Sequence, residues 1–285
     1  MKKFISSLLC FILFISYLLV TINICFSNLF DKSNIKKVVS KINITAKVES
    51  EDMNSESLSI EDYFTNLYKI AADYDISENQ VNKYINSDET KAFISKYIEK
   101  FSNNILKKDN FKITNEFLEQ ELKNSVDEYV KENDFSNHTK QRMKNFVNNN
   151  SHKIIENLPT TEQIESYIDI PMINYIQLFL SNTARIILLC SILISVILII
   201  IINLKDIKFL KYLSITLLIS NLVTLIFGFM IKPSFTLIIG YNSNLILTLL
   251  KGFINTILID YLIISGIGIL ISIILLILYK VFNKK

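Results

Sequence analysis

Four groups of side chains have the types and spacing to do chemistry. Asp73, Asp75, Ser77 and Asn79 alternate through "DYDISENQ", an oxygen-rich run of the kind that ligates calcium. An EF-hand loop needs glycine at its sixth position and a bidentate glutamate at its twelfth. Here those positions hold Glu78 and Tyr84, so the run reads as a corner between helices with Ser77 as a cap. His138 and His152 are the only histidines; they lack the spacing of a zinc motif and have no cysteine nearby, and they read as surface residues. Glu116, Glu119 and Glu121 read as a solvated face, with no nucleophile–base arrangement around them. The fourth group is Arg185 and Asp260, the ionisable residues at the edges of long apolar runs. A charge at such depth needs a partner, and an ion pair between the two is expected, against separate snorkelling into lipid headgroups.

The glycines exclude further chemistries. All five (Gly228, Gly240, Gly252, Gly266 and Gly268) lie in the C-terminal part. The acidic middle therefore has no glycine for a phosphate loop or a dinucleotide fingerprint, and no cofactor is implied. Residues 28–182 carry 19 Lys+Arg against 25 Asp+Glu, a balance of −6, while the remainder carries +9 within a total of +3. The positive excess sits beside apolar runs rather than in a patch for nucleic acid, which is excluded as a partner. Cys10, Cys25 and Cys190 all fall in apolar runs, so the middle has neither a disulfide framework nor a thiolate metal site. Asn43, Asn137 and Asn149 fit the glycosylation sequon, a match that arises by chance in an Asn-rich chain.

Four runs, Phe4–Cys25, Ala184–Asn203, Tyr212–Ile231 and Ile257–Tyr279, are long enough to cross about 30 Å of hydrocarbon. Lys2 and Lys3 precede the first, Lys205, Lys208 and Lys211 separate the second from the third, and Lys280, Lys284 and Lys285 follow the fourth. The positive-inside rule then puts both termini in the cytoplasm and residues 28–182 outside it, in a multi-pass protein of the cell membrane. The first run, within residues 1–27, is either a retained anchor or a signal peptide cleaved after small residues at Cys25 and Ser27; its length favours the anchor.

Between the first two spans, residues 28–59 read as a stalk or linker, with the strand-like "KINITAKV" followed by the polar "ESEDMNSES". Residues 60–170 read as a helical domain. Ser59, Ser77, Ser87, Thr114 and Ser136 stand where caps are needed, and Phe93, Tyr97 and Phe101 recur at helical spacing. Residues 171–285 read as a three-span domain: an unbroken helical rod from Pro171 to about Leu204, and an amphipathic outer loop over 232–256. Within the spans, small and polar residues recur at helical spacing: Ser191 and Ser195; Ser220, Thr224 and Gly228; Gly268 and Ser272. That spacing lets helices approach closely, and the deeply polar Asn221 is expected to bond across helices. The expected fold is all-α: a four-span bundle with an extracytoplasmic helical domain between spans one and two.

"SENQVNKYINSDETKAFISKYI" and "NLPTTEQIESYID", followed by a membrane hairpin, resemble uncharacterised multi-pass membrane proteins of low-GC Gram-positive bacteria. The resemblance runs from about Ile60 onward and implies architecture, with no site residues. The functional expectation is a non-enzymatic envelope protein whose partners are membrane lipids and a protein bound by the helical domain. The alternative is a transporter subunit, since one span, a large outer domain and three further spans are similar to the topology of FtsX-like and MacB-like membrane subunits. The shortness of "NLKDIKFLK" weighs against a coupling loop for an ATPase.

Overall fold

The computed structural model describes residues 1–41, 60–105, 111–156, 158–167, 170–204, 207–239 and 245–283. Regular structure among them is entirely helical. It divides into two compact units: Met1–Leu29 with Tyr175–Ile238 and Ile254–Lys285, and Phe30–Asn174 with Ile239–Phe253. "KINITAKV" beyond Lys41, "ESEDMNSES" and Asn43 lie outside the described residues.

The second unit is built on α2 (Lys32–Ser40), α3 (Ile60–Ala72), α4 (Glu78–Ile85), α5 (Asp88–Ile105), α6 (Asn115–Glu132), α7 (Asn137–Ile155) and α8 (Thr161–Tyr167). Local signals start several of these helices. Ser77 and Gln80 close a capping box: the Gln80 amide donates to Ser77 Oγ, and Gln80 Oε1 accepts from the Ser77 amide at 2.9 Å. Thr114 accepts from the Phe117 amide and Ser136 from the Thr139 amide, both at 3.2 Å. Each cap satisfies an amide that the first helical turn cannot.

One face of α6 (Leu118, Leu122, Val126, Tyr129, Val130) packs on Met143, Phe146, Val147 and Ile155 of α7, with Val81, Tyr84, Ile85 and Phe93 completing the core. Thr161, nearly buried, ties α8 to the segment before α6. Its Oγ1 accepts from the Ile113 amide at 2.8 Å and its own amide donates to the Ile113 carbonyl at 3.0 Å.

Burial also sets a pH response. The Tyr84 hydroxyl is enclosed between Ser125 Oγ at 3.3 Å and the Leu122 carbonyl, and desolvation pushes its pKa up from 10 to about 12. Tyr97 shifts upward for the same reason. A tyrosine kept neutral in the fold favours unfolding once the free chain can ionise. Stability of this unit is therefore expected to be flat up to about pH 10 and to fall as pH climbs from there toward 12. Alkaline denaturation followed by circular dichroism should show it, with a shallower decline for Tyr84→Phe; an unchanged slope would place the titration elsewhere.

The stalk expected over 28–59 is not borne out at its start. Residues 32–40 form α2, which packs on α5 through buried Ile35, Val38 and Val39. Their i, i+3, i+4 spacing is an apolar stripe, and it needs a partner that local sequence does not show. Lys32 pairs with Glu99 at 3.2 Å, and Lys91 Nζ donates to the Ser40 carbonyl at 3.1 Å.

The first unit contains α1 (Lys2–Leu29), α10 (Asn182–Asn203), most of α11 (Lys208–Ile239) and most of α12 (Leu245–Phe282). Four helical stretches in it are long and apolar enough to cross a membrane: Lys2–Leu29, Asn182–Asn203, Lys208–Met230 and Gly252–Phe282.

Two expectations for this region change. The unbroken rod from Pro171 is in fact α9 (Ile170–Leu180) and α10, separated by Ser181 in extended geometry at φ −66° and ψ 150°. Ser181 Oγ accepts from the Ala184 amide at 3.1 Å and donates to the Leu178 carbonyl at 2.7 Å. Serine competes with the helix for its own backbone partners, so one helix can end and another begin without glycine or proline. The amphipathic loop over 232–256 is likewise not separate: α11 runs through Pro233 to Ile239, and α12 begins at Leu245.

Candidate functional site

The polar residues of the membrane unit converge on α1. Ser6, Leu13, Ser16, Val20 and Asn23 are buried along one stripe with roughly heptad spacing. Ser16 Oγ and Ser191 Oγ of α10 are 2.9 Å apart, and Asn203 Nδ2 of α10 donates to Ser6 Oγ at 2.9 Å. Between these bonds Leu13 packs with Ile199 of α10 and Leu213 of α11. The Tyr17 hydroxyl donates to Asn221 Oδ1 of α11 at 2.8 Å, and Asn28 Nδ2 donates to Asp260 Oδ2 of α12 at 3.1 Å. Thus α1 hydrogen-bonds to all three other spanning helices. In a medium without water each such bond replaces one that solvent would otherwise make.

The candidate packing residues lie on three of the spanning helices. Ser191 bonds to Ser16, and Ser195 is buried on the same side of α10. On α11, Ser220 Oγ donates to the Thr216 carbonyl and Thr224 Oγ1 to the Ser220 carbonyl, each at 2.8 Å, which satisfies both hydroxyls within the helix. Asn221 is fully buried; it takes the Tyr17 hydroxyl and donates to the Leu217 carbonyl at 2.7 Å. Gly228 faces Tyr261 of α12, and Gly268 of α12 lies directly against the Asn221 carboxamide. Ser272 Oγ donates to the Gly268 carbonyl at 2.7 Å. Gly228 with Tyr261 and Asn221 with Gly268 define a single antiparallel register, which sets Thr224 opposite Ser265. Ser265 is buried, and its hydroxyl is one of the few without a partner among the described residues.

Arg185 and Asp260 do not pair. No ion pair links them among the described residues, and each is held by an asparagine of α1: Arg185 Nε donates to Asn23 Oδ1 at 2.8 Å, and Asp260 takes Asn28. The two asparagines are five positions apart on the helix, a rotation of about 140° and a rise of about 7.5 Å, so the charges sit on different flanks of α1. Asn23 is the residue that sequence reasoning missed. It is fully buried, and while its Oδ1 takes Arg185 its Nδ2 donates to the Phe179 carbonyl at the end of α9. Its sequence signal is weak: a lone carboxamide in an apolar run, on the same stripe as Ser6 and Ser16.

Because the two charges have separate partners, Arg185→Ala and Asp260→Ala should each destabilise the membrane unit, with losses that add to within about 0.5 kcal/mol. Reversible unfolding in mixed micelles measures this. A coupling well above that figure would restore the ion pair.

The other candidates are absorbed by the helical unit. Asp75 adopts positive φ (53°) in the α3–α4 corner, a conformation aspartate tolerates, and it faces Arg142 at 3.3 Å. Glu119 accepts from Ser151 Oγ at 2.9 Å and pairs with Lys123 at 3.5 Å, with exposed His152 at 3.8 Å. Glu121 pairs with Lys96 at 2.7 Å. Exposed Glu116 sits in the first turn of α6, where hydrogen bonds with Thr114 and its own amide hold its carboxyl below the usual range. His138 is exposed, and Asn149 donates to the Tyr74 hydroxyl at 3.1 Å. No group of three His, Cys, Asp or Glu that could hold a metal occurs among the described residues.

Four hydrophobic helices joined through buried polar contacts define a multi-pass helical membrane protein. Compared with known proteins, the chain matches no family model, and no curated protein or solved structure matches it significantly.

Proposed function

We propose that the chain is a non-enzymatic integral membrane protein of the cell envelope that displays the α2–α8 unit outside the cytoplasm to bind a protein partner. The observation that carries this reading is the self-contained core of that unit, which occupies the chain between its first and second spans. Its chemistry-bearing side chains are spent on structure. Asp75, Glu119 and Glu121 hold Arg142, Ser151 and Lys96, leaving surface recognition as the unit's task.

The lysine distribution orients the spans with both termini in the cytoplasm. The bonds from α1 to α10, α11 and α12 support a retained first span, since its removal would leave Asn203, Asn221 and Arg185 without their partners. Crosslinking in intact cells tests the reading. Deleting residues 60–158 from the chain should remove one protein from the crosslinked complexes. An unchanged interaction profile would sink the proposal, and stable co-purification with an ATPase would favour a transporter subunit instead.

A further inference from the structure

The junction of α9 and α10 presents a positive charge that the protein orients but does not neutralise. Asn23 uses both ends of its carboxamide there, one on Arg185 Nε and one on the Phe179 carbonyl. A single buried side chain thereby fixes the last turn of α9 and the first turn of α10 together. A guanidinium has five N–H donors, and Asn23 takes only the one on Nε. The two terminal NH2 groups have no partner among the described residues, and the half-buried side chain leaves them accessible. Asp260, the counter-charge expected from the sequence, is held by Asn28 on another flank of α1.

Depth identifies the surroundings. Arg185 lies 18 residues from Asn203 along α10, a rise of about 27 Å that nearly equals the roughly 30 Å hydrocarbon thickness. With the lysine-rich "NLKDIKFLK" at one membrane boundary, Arg185 lies at the other. Beside it, α9 has 11 residues, a length of about 16 Å that is too short to span. Yet its Tyr175 and Leu178 are 75% and 72% exposed. An apolar helix of that kind lies in the headgroup–acyl boundary. A planar, fixed fork of donors suits the tetrahedral oxygens of a phosphate, and the positive end of the α10 dipole adds to the same field.

We propose that Arg185, held by Asn23, binds the phosphate of a membrane phospholipid whose acyl chains lie along the exposed face of α9. The inference is independent of what the helical unit binds. The test uses full-length protein stripped of lipid in detergent, read by thermal unfolding and by native mass spectrometry. Phosphatidylglycerol should raise the melting temperature and remain bound in the gas phase. Diacylglycerol with the same chains, and inorganic phosphate alone, should do neither.

Arg185→Lys keeps the charge but loses the fork and the Asn23 bond, and should weaken phosphatidylglycerol retention by about tenfold. Asn23→Ala should act in the same direction, and Asp260→Asn should leave retention unchanged. Equal protection by diacylglycerol would reduce the site to an apolar surface, and equal protection by inorganic phosphate would make it a site for free anions. Either result overturns the proposal, as does undiminished retention by Arg185→Lys and Asn23→Ala. The lipid comparison on the unmutated protein stands even where a variant fails to fold.

Discussion

Replacing Gly268 with leucine is expected to separate α11 from α12. Any β-carbon at this position enters the Asn221 carboxamide. A flexible side chain could normally swing away, but Asn221 is fully buried and bonded to both Tyr17 and the Leu217 carbonyl. Moving it leaves the Tyr17 hydroxyl unpaired, at a cost of about 1–3 kcal/mol, on top of about 1–3 kcal/mol for forcing a side chain into a packed interface. Gly228 provides the internal comparison. A β-carbon there meets Tyr261 Cβ at 3.5 Å, an ordinary contact, so Gly228→Ala should be close to neutral. Unfolding in mixed micelles should therefore show a large loss for Gly268→Leu and almost none for Gly228→Ala. Asn221→Ala should in addition rescue part of the loss in Gly268→Ala by emptying the space the new methyl needs. Equal stability of Gly268→Leu and the unmodified chain would mean that the two helices do not meet in this register.

The signals that could be read in the sequence were local ones. Ser77, Thr114 and Ser136 cap the helices they precede because a cap and the backbone amide that donates to it lie within four residues of each other. The spans were legible for a similar reason, since length and apolarity are properties of one segment. What was lost depended on distant chain. The three apolar residues of α2 are buried by α5, more than 50 positions later, so nothing nearby distinguished them from a linker. Arg185 shows the same limit in the membrane. Its charge suggested Asp260, the acidic residue at similar depth, but a neutral carboxamide on α1 orients the guanidinium without cancelling it. Ser181 is the converse case, a local signal passed over because neither proline nor glycine marks the break. Among the small and polar residues of the spans, Ser191, Asn221, Gly228 and Gly268 lie against another helix, while Ser220, Thr224 and Ser272 donate within their own.

The second large effect is expected at Leu118, whose side chain has no exposure within the core of the helical unit. Leu118→Ala removes three heavy atoms from a site enclosed by well-packed neighbours. Partial collapse around such a cavity leaves a cost of about 2–5 kcal/mol, a large part of what holds a domain of this size together. The effect should stay within the helical unit, because its core and the membrane unit draw on separate sets of residues. Hydrogen exchange on the full chain in nanodiscs can separate the two. Amides across α4 to α7 should exchange faster, while those of α1 and α10 keep their protection. If the spans loosened equally, the units would form one cooperative body; if α6 and α7 were unchanged, Leu118 would not be central to the core. The same variant bears on function. A protein that still inserts and accumulates in the membrane but presents an unfolded helical unit should lose its crosslinked partner. Arg185→Lys, which leaves that unit untouched, should keep it.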